Sequence, residues 1–144
     1  MPKYDIYFKP VSTTEYNSGM GFEFGYKAVL KVCGPPALVN RWVKTFMTLK
    51  GSDPLDQEYG TGFSNLIGSN ISKASMDLAD VVSVAIGEAN TQVYDQDLKG
   101  FFPTNERLQA ATLTGFQQVA DGISVWVTIT NMANEALPVM VATI

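Results

Sequence analysis

The carboxylates Asp53, Asp56 and Glu58 stand close together in the segment GSDPLDQEYGTGF. Glycosidic bond cleavage asks for such a group, with one carboxyl kept protonated and a second ionised at a fixed distance. Asp53-Pro54 is also a natural turn initiator, and Gly60 and Gly62 permit backbone angles closed to other residues. A solvated turn therefore accounts for the same residues. Asp95 and Asp97 offer oxygen ligands, but two carboxylates fall short of the roughly six to eight oxygens that calcium takes. Gly19, Gly21 and Gly25 are not followed by the Gly-Lys-Ser/Thr of a phosphate-cradling loop.

The 144-residue chain has no histidine and one cysteine, Cys33. Those counts remove nucleophile machinery that depends on histidine, the usual zinc sites, and any internal disulfide. No cofactor or metal is expected. The ten basic and fourteen acidic residues are scattered, giving a formal charge of −4 and no clustered basic face for nucleic acid. The start, MPKYDIYFKP, lacks the apolar run of a signal peptide, and no segment has the roughly 20 apolar residues needed to span a bilayer. The 46% hydrophobic content belongs to a globular chain with its own core.

Several elements must position these groups. Tyr4 to Phe8 reads as a short strand, followed by a Ser-, Thr-, Asn- and Gly-rich arm-like loop and a second strand over Tyr26 to Val32. Gly34-Pro35-Pro36 breaks that strand and opens a helix. On it Leu38, Val39, Trp42, Val43, Phe46 and Met47 form one apolar stripe, with Arg41 and Lys44 off it and a stop at Lys50-Gly51. A short helical piece spans Phe63 to Ile67. Ser72 then caps a longer helix reaching Thr91 or Tyr94, with Met76, Ala79, Val82, Ile86 and Ala89 on one face beside Leu78, Val81 and Ala85.

DQDLKGFFPTNER reads as a polar connection. Leu113 to Val119, a turn at Asp121-Gly122, the alternating run Ile123 to Thr130, a turn over Asn131 to Glu135, and Leu137 to Ile144 form an antiparallel meander. The expected fold is α+β: two main helices on the meander, with an N-terminal strand pair and loop. Trp42 and Trp126 are expected in the core, and Cys33 as a small buried hydrophobe. The chain reads as a single domain over 1–144, with the strand and arm at 1–29 and the core at 30–144.

A strand ending in VCGPPALVNRWVKTFMTLKGSDPLDQEYGTGFSNLIG, a long helix, and NERLQAATL leading into the meander together resemble one family. It comprises the baseplate wedge and sheath-initiator proteins of contractile phage tails, often labelled lysozyme-like or GPW-like. The family's pattern has a glycine turn after its first helix, matched by Gly51. Its acidic-Tyr-Gly-x-Gly segment is matched by Glu58-Tyr59-Gly60-Thr61-Gly62. Where the family has Glu-Pro-Arg, this chain has Asn105-Glu106-Arg107-Leu108, preceded by extra residues from about 94 to 104.

The resemblance implies a non-enzymatic structural part of the virion, assembled in the host cytoplasm and present in six copies around the tail axis. It also implies docking on other baseplate wedge proteins through Glu106 and Arg107, with Tyr59, Gly60 and Gly62 in the shared segment. Val139, Met140, Val141 and Ala142 would pair with the first ring of the tail sheath protein, and tail tube or hub proteins are further contacts. Neither nucleic acid nor membrane is an expected partner. A tail glycosidase acting on peptidoglycan through Asp53 or Asp56 with Glu58 is the alternative from a different class. A tail adaptor or terminator is a third.

Overall fold

The computed structural model describes residues 32–67, 75–119 and 122–143. The strand expected at Tyr4 to Phe8, the glycine-rich arm, all but Val32 of the second expected strand, and the Ser72 cap lie outside them. The elements are α1 (Pro35–Met47), α2 (Ser64–Ile67), α3 (Ser75–Lys99), a 3-10 turn (Thr104–Glu106), β1 (Leu108–Val119), β2 (Gly122–Asn131) and β3 (Ala136–Thr143). The architecture is α+β, with two helices packed on a three-stranded antiparallel sheet of order β1-β2-β3.

α1 forms where proline fixes the first turn and the apolar stripe begins. Its buried face carries Leu38, Trp42 and Phe46. The Trp42 and Phe46 rings stack at 5.0 Å, and Phe46 stacks on Phe63 at 4.4 Å. The helix ends at Met47, ahead of the stop expected at Lys50-Gly51. The chain leaves it early because Leu49 and Thr61 form a parallel bridge: Lys50 N donates to Thr61 O at 3.1 Å, and Thr61 N to Thr48 O at 2.9 Å. Gly51 serves the turn that follows, at φ 85°.

α3 buries Leu78, Val82, Ala85, Ile86, Ala89 and Val93 at three- and four-residue spacing. It runs on to Lys99, beyond the end expected at Thr91 or Tyr94, so part of the expected connection is helix. Its apolar stripe stops at Val93, but the next position on that face, Asp97, is held by ion pairing instead of burial of an apolar group. Gly100 N still donates to Gln96 O at 2.8 Å, closing the last turn.

β1 begins at Leu108, earlier than the expected Leu113. Its register shifts at Leu108/Ala110 and again at Leu113/Gly115, and such irregularities blur an alternating pattern. β2 alternates cleanly, burying Ile123, Val125, Val127 and Ile129 on the helix-covered face. Trp126 therefore falls on the other face and is exposed, which corrects the expectation that it is a core residue. It lies over Gly115, whose missing side chain leaves its ring a shelf: a Cβ there would meet the indole at 3.7 Å.

The turn between β2 and β3 is organised by the buried Asn131. Its Oδ1 accepts from Ala133 N and Glu135 N, while its Nδ2 donates to Asn105 O and Glu135 Oε2. Val119 pairs with Gly122. The Asp121 of the expected turn lies outside the described residues. Cys33 is exposed in the extended link ahead of α1, not buried; the link precedes the first residue packed on the core.

Candidate functional site

The groups that sequence singled out converge at two places. The first is the junction of the α1 N-terminus, the α3 C-terminus and the 3-10 turn. α1 has no capping side chain of its own at Gly34, where φ is 74°. Glu106, distant in sequence, supplies one: its Oε1 accepts the Gly34 N–H at 2.6 Å. A carboxylate at that end is favoured both by the open N–H groups and by the helix dipole.

Arg41 sits at the centre of this junction. Its Nη2 donates to Glu106 O at 2.6 Å and lies 2.7 Å from Asp97 Oδ1. The Asp97 contact is a charge pair without hydrogen-bond alignment, and Arg41 Nη1 has no hydrogen-bond partner among the described residues. The Phe102 ring, 3.8 Å from the guanidinium carbon, supplies a cation–π contact in its place. Asp97 Oδ2 accepts Leu108 N at 2.8 Å, and Arg107 Nε donates to Phe102 O at 2.8 Å. Glu106 is thus half-buried and spent on α1, while Arg107 is exposed.

A cavity of about 500 Å3 opens here, lined among others by Leu38, Arg41, Lys44, Tyr59, Lys99 and Glu106. Lys44 and Lys99 give it a cationic rim. Chemically the junction is a clamp that fastens three chain segments and offers cations at its mouth.

The second place is the loop from Thr48 to Phe63, which lies between α1 and α3. Gly60 N donates to Gln92 Oε1 at 2.8 Å, and Gln92 Nε2 returns a bond to Gly60 O at 2.6 Å. Gly62 N donates to Glu88 Oε2 at 3.1 Å. The buried Thr61 gives its hydroxyl to Phe46 O at 2.6 Å, and the Tyr59 hydroxyl lies 3.2 Å from that of Thr45. The Tyr59-Gly60-Thr61-Gly62 segment is in this way pinned to α3 by its backbone and to α1 by the Tyr59 and Thr61 side chains.

The three carboxylates of the loop are turned to local work. Asp53 Oδ1 accepts Leu55 N at 2.9 Å and Asp56 Oδ1 accepts Glu58 N at 3.1 Å, two Asx turns. Glu58 is paired with Lys50 at 3.1 Å, and its side chain is 86% exposed. The hydrogen bond that the Lys50 ammonium donates to Glu58 holds its pKa above the ordinary value of 10.5, and the bond from Lys99 to Asp95 does the same for Lys99. Asp95 pairs with Lys99 and Asp97 with Arg41, so the two aspartates are engaged by different cations. Among the described residues no three acidic or cysteine side chains gather as a metal site would require.

Val139, Met140 and Val141 lie in β3, paired on one side with Val127, Trp126 and Val125; Ala142 pairs with Ser124. Pro138 falls in the same strand, opposite Thr128. Proline has no N–H for a ladder and is tolerated in strands at sheet edges.

The opposite edge of the sheet holds a feature that sequence reasoning missed. Three α3 side chains run along the start of β1: Asn90 Nδ2 donates to Ala111 O at 3.0 Å, Tyr94 donates its hydroxyl to Gln109 O, and Asp97 takes Leu108 N. Asn90 also accepts Trp42 Nε1 at 2.8 Å. The signal was legible as polar residues at core-facing helix positions, Asn90 four residues after Ile86 and Asp97 four after Val93.

Comparison with known proteins finds no matching family model, no matching curated protein and no matching solved structure.

Proposed function

We propose that this chain is a structural component of a contractile tail baseplate that docks on neighbouring wedge proteins and starts the sheath by edge-strand pairing. The observation that carries the reading is the asymmetry of the sheet. The start of β1 is engaged by the Asn90, Tyr94 and Asp97 side chains, whereas β3 is the other edge strand among the described residues, which supports extension from the β3 side. Strand addition draws on backbone hydrogen bonds at a sheet edge, with alternate side chains setting specificity. The family resemblance of the Glu58 to Gly62 segment and of Glu106-Arg107 supports the same reading. It assigns those residues to the docking side, six copies to the tail axis, and the virion as the location.

The test is a density map of the contractile-tailed particle that contains the chain. Six copies are expected around the tail axis, with β3 beside a strand of the first sheath ring. A position away from the sheath, or β3 facing an element other than sheath, overturns the proposal. Release of peptidoglycan fragments by the purified chain, abolished by Glu58→Gln, would favour the glycosidase reading instead.

A further inference from the structure

The cavity between α1 and the end of α3 is not used up by the clamp that borders it. Its walls follow helix periodicity: Ala37, Arg41 and Lys44 recur at four- and three-residue steps along one side of α1, and Gln96 and Lys99 stand three residues apart in the last turn of α3. Ala37 and Phe102 supply apolar wall. At about 500 Å3 the space falls within the roughly 300–1,000 Å3 of small-molecule sites. Most of its polar groups are already committed. Arg41 is held by Asp97 and the Glu106 carbonyl, Lys99 by Asp95, the Glu106 carboxylate by the Gly34 N–H, and the Tyr59 hydroxyl by Thr45. Lys44 and Gln96 differ: among the described residues neither side chain has a hydrogen-bond or ion-pair partner.

The structure assigns this cavity to a small organic monocarboxylate, a single carboxylate carried on an apolar body. The one lining charge without a partner among the described residues is the Lys44 ammonium, and one spare positive charge selects one negative charge. Lys44 and the Gln96 amide, on different helices, both bring N–H donors, which suits the acceptor-only oxygens of an ionised carboxylate. A dianion would set its second charge against the Glu106 carboxylate with no cation left to meet it, and a cationic ligand would meet Lys44. The apolar wall gives a bare ion nothing to hold, so the carboxylate needs a hydrocarbon or aromatic body beside Ala37 and Phe102. The inference does not rest on the baseplate reading, since it uses neither the β3 edge nor a partner chain.

The test titrates 3-phenylpropanoate into the isotope-labelled full chain and follows its amide resonances by NMR. Saturable shifts are expected at the Gln96 side-chain amide and at the backbone of Ala37 and Lys99. 3-Phenylpropanamide keeps the body and removes the charge, and acetate keeps the charge and removes the body; each should bind at least about fivefold more weakly. Lys44→Met should raise the Kd of the acid at least about fivefold and leave that of the amide unchanged. Lysine and methionine are about equally good helix formers, so lost binding cannot be ascribed to lost folding. Lys50→Met removes a cation that does not line the cavity and should leave binding unchanged. The inference is overturned if the acid gives no saturable shifts, if the shifts fall outside the cavity, or if the Lys44 variant binds it as well as the parent chain. It is also overturned if a peptide ending in a phenylalanine carboxylate binds and the free acid does not, which would assign the cavity to the docking of a chain end.

Discussion

Replacing Gly60 by alanine isolates what the Tyr-Gly-x-Gly segment does in this fold. At Gly60 φ is 104°, outside the angles open to a residue with a side chain, and such a conformation costs roughly 1–3 kcal/mol. The added Cβ would lie 2.5 Å from Thr48 O and 3.0 Å from both Leu49 C and Lys50 N. All three are backbone atoms and cannot swing aside. Relief must move the chain that carries the Thr48–Thr61 and Lys50–Thr61 hydrogen bonds, each worth about 0.5–1.5 kcal/mol. Lower unfolded-state entropy returns only about 0.4–1 kcal/mol. The net loss is about 3 kcal/mol, a large part of the roughly 5–15 kcal/mol typical of a domain.

Urea unfolding followed by tryptophan fluorescence measures it, because Trp42 is fully buried beside this loop. The midpoint should fall by about 1–3 M. Gly62→Ala is the matched control: its Cβ would meet nothing within 4 Å, and its φ is not in the left-handed region. That change should stay within about 0.5 kcal/mol. A loss below about 1 kcal/mol for Gly60→Ala, or equal losses at the two glycines, would falsify the steric argument.

Three further outcomes follow from the same structure. Arg41→Met should destabilise by about 3 kcal/mol by leaving Asp97 charged and nearly buried. The double variant with Asp97→Asn should lose less than the sum of the singles by at least about 1 kcal/mol, and strict additivity in thermal melts would deny the coupling. Asn131→Ala should cost about 3 kcal/mol, since it strands the Ala133, Glu135 and Asn105 backbone groups; an unchanged melting temperature would refute its role as organiser of the turn. The Lys50 and Lys99 ammonium groups are held above 10.5 by Glu58 and Asp95. Their support is therefore complete below that value and lost as pH rises through the raised ones. The urea midpoint should fall in that window, and less so in a chain carrying both Lys50→Met and Lys99→Met.

What the sequence made legible was the part of the structure written in periodicity. The stripe from Leu38 to Phe46 and the alternation from Ile123 to Thr130 each name a single buried face, and those faces meet in the core. The end of α3 was hidden because Asp97 stands where the stripe calls for an apolar residue, and only its partner Arg41, far away in sequence, makes that tolerable. The size of Trp126 suggests burial, while its place between the buried Val125 and Val127 sets it on the outer face of β2. Glu106 could be marked as notable but not understood, since its task of closing the α1 N-terminus depends on a contact between distant segments. The loop carboxylates looked reactive by composition; their Asx turns and the Lys50 pair appear only in three dimensions.

The polar ladder of Asn90, Tyr94 and Asp97 along the start of β1 also bears on how copies of this chain can meet. A sheet open at both edges can template itself: the last strand of one molecule joins the first strand of the next, and a head-to-tail filament grows without closing. Here such a contact along the first four residues of β1 would have to displace three helix side chains from Leu108, Gln109 and Ala111. α3 therefore closes the start of that edge, so a strand of a neighbouring copy could add to β1 only over its later residues, from Thr112 on.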